Sequence, residues 1–459
     1  MQIRPSRMLQ QIHPNFLLIG SFVLTILAGG IFLHAPFSLR EGHISIIDAL
    51  FTATSAVCVT GLSVVDIGTR FNTTGQMILL LMIQLGGLGI MTYTTVVMLL
   101  LGKKLSFRGK EAIQGTLSYK LGQGLLSLIK NVFLVTILFE GIGLIFLFIR
   151  WSFFFPPREA LYNALFHSVS AFCNAGLSLF SRSLMDFRDD PWINAVMVLL
   201  IISGGLGFVV VQDIRQYINN RLTRKKRARL SLHSRIVLVT TSSLVLSGLV
   251  IFLMLEWRHA LSGVPFGEKI LISLFQSVTP RTAGFNTMDY NLLTNGTLLF
   301  TIFFMFIGAS PGSTGGGIKT TSFAVLLAMA LAKWKNRSET FIFGRTVPAG
   351  AVSRTISIFL ASILLVILST LALMITDAGD IPVTESRGLF IQYLFETVSA
   401  FGTVGLSTGV TPSLSVPGKL ILMVLMFVGR LGPITIALAI TSEKRDEGFT
   451  YPEENIMVG

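Results

Sequence analysis

Apolar residues dominate eight long runs, at 15–35, 74–101, 126–150, 192–212, 236–256, 296–332, 355–376 and 418–441, with polar residues gathered between them. Each run is long enough to cross a hydrocarbon core of about 30 Å as a helix, which takes roughly 20 residues. Eight crossings are therefore predicted. Within each successive pair of runs lies a shorter segment: ALFTATSAVCVTGLS from Ala49, ALFHSVSAFCNAGLS from Ala164, SLFQSVTPRTAGFN from Ser273 and YLFETVSAFGTVGLS from Tyr393. Each goes from a Leu-Phe pair through small hydroxyl residues to one glycine: Gly61, Gly176, Gly284 or Gly405. Repetition at broadly similar intervals marks copies of one unit. The expected fold is an all-α integral membrane protein of four helix, pore-loop, helix repeats, at 1–104, 105–222, 223–340 and 341–459, arranged as a pseudo-fourfold pore.

Composition agrees with a bilayer location. The chain is 52% hydrophobic and 13% charged, with a mean hydropathy of +0.72, whereas soluble chains carry about 25% charge. A net charge of +13 raises nucleic-acid binding, but the basic residues are confined to connections. Residues 102–121 hold Lys103, Lys104, Arg108, Lys110 and Lys120 against Glu111; 213–235 hold Arg215, Arg221, Arg224, Lys225, Lys226, Arg227, Arg229 and Arg235 against Asp213. A third stretch has Lys333, Lys335, Arg337, Arg345 and Arg354 against Glu339. Loops on the glycine side are balanced or acidic, with Asp186, Arg188, Asp189 and Asp190 in one and Asp377, Asp380 and Glu385 in another. The positive-inside rule makes the basic connections cytoplasmic, with both termini, and opens the glycine segments outward. Nucleic acid is not needed to explain the charge. The first run, preceded by Arg4 and Arg7, reads as a retained helix, because no small-residue cleavage site is evident. Cys58 and Cys173, each three residues before a glycine, owe their equivalence to the repeat and read as small buried residues without redox chemistry.

Non-helical backbone at membrane depth must be buried in protein or line a watery cavity. The glycine segments therefore belong inside the assembly, where glycine permits backbone angles that turn carbonyls toward a common axis. The candidate filter is Val59, Thr60 and Gly61; Asn174, Ala175 and Gly176; Thr282, Ala283 and Gly284; and Thr403, Val404 and Gly405. Ala and Val side chains bind no cation, so selection falls to backbone carbonyls that replace a hydration shell, chemistry that suits potassium. No ring of carboxylates stands there for a divalent ion. Glu396 shares its slot with Thr52, His167 and Gln276, and is expected to orient the fourth segment by hydrogen bonding, with field tuning as the other possibility.

A second pattern recurs near the middle of the following helices: LGGLG at 85–89, SGGLG at 203–207 and GRLG at 429–432, so that Arg430 takes the slot of Gly87 and Gly205. Three repeats are expected to clear space here or add a charge. The third instead has Gly308, Ala309, Ser310, Pro311, Gly312, Ser313, Thr314, Gly315, Gly316, Gly317 and, after Ile318, Lys319. Its glycines and proline should break the helix into a loop. The loop is not a phosphate-binding P-loop, because Ile318 separates Gly317 from Lys319 and no strand precedes it. A loop below a selectivity ring is a candidate gate. An arginine at helix centre costs about 2.5–3.5 kcal/mol, so Arg430 should face inward and be paired. Free loop carbonyls suit its several fixed donors; a carboxylate such as Glu140 is the alternative partner.

These motifs, the four filter segments, GSTGGGIK and GRLGP, resemble the Trk/Ktr/HKT superfamily of potassium transporters over nearly the whole chain, most closely the bacterial Ktr membrane subunit. The resemblance implies potassium as the transported ion, a plasma-membrane location, a homodimer surrounded by membrane lipid, and a cytosolic ring of nucleotide-binding, RCK-type regulatory subunits. The basic loops, especially 215–235, are contact surfaces for that ring or ordinary orientation signals. Sodium-preferring plant members carry serine at the first filter position, where this chain has Gly61. Sodium stimulation occurs in Ktr-type members, yet no sodium site is visible, and no organic cofactor is expected. The third segment departs from the pattern: it is one residue shorter and has Pro280 and Arg281 in place of Ala and Phe. With no TVGYG-type second glycine, fewer carbonyl sites and looser selectivity follow. A sodium/potassium-conducting relative and a secondary transporter of a small solute remain alternatives, the latter calling for inverted repeats. An enzyme is not expected, since His13, His34, His43, His167, His233 and His259 are scattered.

Overall fold

The computed structural model describes residues 14–88, 125–223, 229–379 and 381–433. The end of the second run (89–101), the basic stretch at 102–121, residues 224–228, Asp380 and the end of the last run (434–441) lie outside the described residues.

The helices follow one order four times. α1 (Pro14–His34), α2 (Ile46–Cys58) and α3 (Thr73–Gly87) make the first set, and α4 (Leu125–Trp151), α5 (Pro157–Phe172) and α6 (Pro191–Leu206) the second. α6 is followed by α7 (Phe208–Leu222). The third set is α8 (Leu232–Glu256), α9 (Phe266–Val278) and α10 (Asn295–Phe306), continued by α11 (Thr320–Trp334). α12 (Ala349–Ala378), α13 (Leu389–Gly402) and α14 (Val416–Leu431) are the fourth. Two short antiparallel strands, Phe341–Ile342 and Arg345–Thr346, form a hairpin between α11 and α12.

Burial separates these helices into an outer and an inner layer. α1, α4, α8 and α12 present Leu24, Ile31, Ile137, Leu246, Met254, Leu364 and Ile375 outward. Such exposure is normal where the solvent is lipid, because acyl chains are as apolar as the side chains. α2, α5, α9 and α13 are inside, and residues 51–58 of α2 are all buried. Each outer helix packs against the inner helix that follows it. The third helix of each set leans on the inner helix of the next: α3 on α5, α6 on α9, α10 on α13 and α14 on α2. Polar pairs bind the same neighbours. Lys419 pairs with Asp48 at 2.7 Å, Arg188 with Glu268 at 3.2 Å, and Tyr162 donates to Gln76 at 3.0 Å.

Each third helix restarts the chain after a glycine segment and begins on a capping side chain. Asn72, Asp190, Thr294 and Ser415 accept hydrogen bonds from the backbone N–H groups of Gly75, Trp192, Thr297 and Gly418. These caps satisfy donors that a helix cannot pair internally.

Among the described residues, three helices, Lys130–Trp151, Leu232–Glu256 and Ala349–Ala378, are long and apolar enough to span a membrane. The run at 192–212, expected to be one helix, is broken. α6 and α7 meet at 100° across Gly207, whose φ is +91°. The third set's loop occupies the straight path: Phe208 N–H donates to the Gly312 carbonyl at 3.0 Å, and a Cβ on Gly207 would lie 2.6 Å from the Pro311 carbonyl oxygen. The break expected in 296–332 is present, with a loop between Phe306 and Thr320. α14 likewise ends before Gly432, at φ +88°. Cys58 and Cys173 are free, buried thiols.

Candidate functional site: a glycine ring above an intramembrane loop

The chain leaves each inner helix through one left-handed residue two positions before its glycine, directly after α2 and α13, two residues past the end of α5 and four past that of α9. Val59, Asn174, Thr282 and Thr403 take left-handed backbone, with φ between +50° and +69°, and Gly61, Gly176, Gly284 and Gly405 follow at positive φ two residues on. Four strained non-glycine residues at one register persist only where the surroundings hold them. The holding groups are hydroxyls that the sequence reading did not single out. Ser55 and Ser399 accept from the N–H of Gly61 and Gly405 at 3.0 and 3.1 Å. Ser170 donates to the Leu177 carbonyl at 2.7 Å, and Thr279 to that of Phe285. Thr279 sits one position nearer its glycine than the serines do, which absorbs the shortening of the third segment. The signal was the recurring small hydroxyl after the Leu-Phe pair.

The segments meet in cyclic order. A Cβ on Gly61 would lie 2.7 Å from the Ala175 carbonyl oxygen, and one on Gly176 would lie 2.7 Å from that of Ala283. The same addition on Gly284 would strike the Val404 carbonyl, and on Gly405 the Thr60 carbonyl. Eight of the expected residues, the four glycines with Thr60, Ala175, Ala283 and Val404, therefore meet, with a main-chain oxygen at every junction. Above the ring opens a cavity of about 290 Å³ bordered by the four glycines and by Ser63, Ser178, Asn286 and Ser407.

Side chains from the slot of Thr52, His167, Gln276 and Glu396 brace the outgoing strands in three of the four sets. His167 Nε2 meets Ser178 at 2.9 Å, and Gln276 donates to Thr287 at 3.3 Å while accepting from Tyr290 at 2.5 Å. Burial pushes the Tyr290 phenol up, so it remains a donor. Glu396 accepts from Ser407 at 2.6 Å, from the Thr408 N–H at 3.0 Å and from Thr411 at 2.7 Å. This matches the orienting contact expected of it. Thr52 instead bonds back to the Asp48 carbonyl within its own helix.

Under the ring lies the 308–319 loop, stitched to its surroundings through backbone. Ser310 and Thr314 N–H groups donate to Gly205 and Gly204 carbonyls, and Gly317 N–H to Gly429, at 3.1–3.3 Å. Gly316 N–H donates to the Thr403 hydroxyl at 3.0 Å, and a Cβ on Gly315 would overlap the Thr282 hydroxyl. Arg430, 4% exposed, donates to the carbonyls of Thr314 and Gly86. The loop thus touches the second, third and fourth sets directly, and Arg430 links it to the first. Lys319 donates to the carbonyls of Gly315 and Gly316 at 2.8 and 3.3 Å.

Arg430 bonds a loop carbonyl, as expected, and not the alternative, Glu140, which lies against the Gln84 amide at 3.5 Å and the Cys173 thiol at 3.8 Å. One expectation is corrected: the paired glycines do not clear an open space. Gly86, Gly204 and Gly429 press against the carbonyls of Val57, Phe172 and Phe401, where any Cβ would collide. Their role is close approach of the third helix to the end of the inner one. Gly89, which ends the first copy of the pattern, lies outside the described residues.

A family model named TrkH, described as a cation transport protein, matches residues 16–448. The chain is 38% identical over 448 residues to the Ktr system potassium uptake protein B of Bacillus subtilis, covering 97% of this chain and 96% of the relative. It is 36% identical over 465 residues to the potassium/sodium uptake protein NtpJ of Enterococcus hirae, covering 100% of both. Among solved structures, the potassium transporter TrkH from Vibrio parahaemolyticus shares the fold with a TM-score of 0.71 at 20% identity, covering 93% of this chain and 84% of that one. The matched segment takes in all four glycine segments, the broken third helix and Arg430, and the chain belongs to the TrkH family of cation transport proteins.

Proposed function

We propose that the chain is the ion-translocating membrane subunit of a Ktr-type potassium uptake system. Its four consecutive units, bounded at 1–104, 105–222, 223–340 and 341–459, form a pseudo-fourfold pore of eight crossings, with both termini in the cytoplasm. The observation that carries this reading is the cyclic approach of each filter glycine to a carbonyl of the next segment. Carbonyl oxygens at every junction are the ligands that replace the hydration shell of a potassium ion.

The intramembrane loop is the gate. Its contacts with Thr403 and Thr282 of the candidate filter segments support this, and Arg430 both fixes it and adds positive charge on the proposed ion path. The subunit works as a homodimer in lipid, on a cytosolic ring of nucleotide-binding RCK-type partners that use the basic connections as docking surfaces. No enzymatic activity and no organic cofactor belong to this reading.

Uptake of potassium and rubidium by cells lacking other potassium uptake routes tests it. Wild type with its regulatory partner should restore growth at low potassium, and Gly284→Ser should not. Failure of the wild type in that setting would refute the proposal. A second reading, conduction of sodium together with potassium, is favoured by the irregular third segment and by the relationship to a potassium/sodium uptake protein. Sodium competition against rubidium uptake separates the two.

A further inference from the structure

Three consecutive carbonyls of the intramembrane loop are each held by a basic side chain. Arg430 takes Thr314, and the Lys319 ammonium takes Gly315 and Gly316 at 2.8 and 3.3 Å. Neither basic group has a carboxylate partner among the described ion pairs. Lys319 is also the N-cap of α11 and makes no capping hydrogen bond from its side chain. A helix N-terminus carries partial positive charge and disfavours a cation beside it. Neither ion pairing nor helix capping accounts for lysine at this position.

The chemistry of its partners does. An ammonium group is a compact monovalent charge, and backbone carbonyls that surround such a charge are also the ligands of a partly dehydrated potassium ion. Residues 315 and 316 present backbone alone, because a Cβ on either would overlap the hydroxyl of Thr282 or Thr403. Those two threonines belong to the candidate filter segments, so residues 315 and 316 pack against that ring. Arg430 has a different part: it bridges the loop to the Gly86 carbonyl across the assembly.

The geometry points to a monovalent-cation site at the Gly315 and Gly316 carbonyls, occupied by the tethered ammonium of Lys319 and taken over by a potassium ion when that side chain withdraws. The inference rests on the loop being a gate below a potassium filter. It gives the gate a specific mechanism. Opening exchanges one monovalent cation for another on the same oxygens, so the Gly315 carbonyl is not left without a partner, which would be costly; the Gly316 carbonyl also accepts the Ala309 N–H at 3.3 Å. Potassium and Lys319 compete for the loop.

The test compares purified wild type, Lys319→Ala and Lys319→Arg in lipid nanodiscs, following unfolding temperature as KCl, NH4Cl or LiCl is raised. Wild type should show one saturating stabilisation by potassium, from the filter. Lys319→Ala should show an additional phase with potassium and ammonium that lithium does not produce, and a several-fold rise in rubidium uptake in cells. Lys319→Arg keeps a tethered cation and should keep the single wild-type phase. An identical potassium response in wild type and Lys319→Ala would overturn the inference, as would an extra phase in Lys319→Arg. Absence of potassium uptake by the wild type would instead refute the parent reading, so the two failures are distinguishable.

Discussion

Thr403 joins the glycine ring to the 308–319 loop: its hydroxyl accepts the Gly316 N–H at 3.0 Å while its own backbone holds the left-handed turn two residues before Gly405, at φ +50°. Valine has the same shape without the acceptor. Thr403→Val should remove one hydrogen bond, a loss of about 0.5–1.5 kcal/mol, and leave the loop less firmly seated. A modest increase in rubidium uptake with unchanged expression is expected; unchanged uptake would separate filter from loop.

Gly284→Ala tests the ring itself. Gly284 has φ +79°, and the added methyl would strike the Val404 carbonyl. Left-handed backbone costs an L-residue roughly 1–2 kcal/mol before any clash. Potassium uptake should fall to background while the protein still reaches the membrane, checked by uptake and surface labelling together.

Arg430→Ala frees the carbonyls of Thr314 and Gly86, each now held by a charged donor. Hydrogen bonds to charged groups contribute about 1.5–3 kcal/mol, and removing the charge also lifts repulsion of cations below the filter. Rubidium influx should rise several-fold and become less dependent on the regulatory partner. A fall in influx in a normally expressed variant would count against the loop as a gate.

Glu396 separates bracing from field effects. It is fully buried and accepts from Ser407, Thr408 and Thr411. Glu396→Ala leaves the Thr408 N–H without its acceptor and the Ser407 and Thr411 hydroxyls with only each other at 3.1 Å, at about 1–3 kcal/mol for a buried unsatisfied group, and should lower both thermal stability and uptake. Glu396→Gln keeps one oxygen for Ser407 and Thr408 and can donate to the Thr411 hydroxyl. Near-normal uptake in Glu396→Gln would assign it bracing; loss comparable to alanine would assign the role to its charge.

Gly207→Ala probes the unforeseen bend between α6 and α7. Its φ is +91°, and the Pro311 carbonyl oxygen would stand 2.6 Å from an added methyl, which leaves no room for a side chain. The strain is on the order of 1–3 kcal/mol. Reduced thermal stability with altered rubidium flux is expected, because relief requires the 308–319 loop to shift.

The sequence made the repeat legible because its signals are local. A Leu-Phe pair, small hydroxyls and one glycine at fixed register identify Val59 to Gly61 and its three counterparts, and the glycines and Pro311 mark the loop. Ser55, Ser170, Thr279 and Ser399 were in plain view, but which backbone atom each reaches depends on how the strand leaves its helix. The bend at Gly207 was hidden for a different reason. SGGLG has the composition of a tolerated helix interior, and only the approach of Pro311 and Gly312 from another unit forces it open.

By itself the sequence determined that this is a membrane protein and that one glycine-segment motif recurs four times with an irregular third copy, since apolar length and glycine register are written along the chain. Tertiary structure decided the partners: Arg430 with Thr314 and Gly86 in place of Glu140, Lys319 with Gly315 and Gly316, and each glycine with a carbonyl of the next segment. Those contacts join residues far apart in sequence through backbone oxygens. Every residue carries such an oxygen, so no residue type announces it.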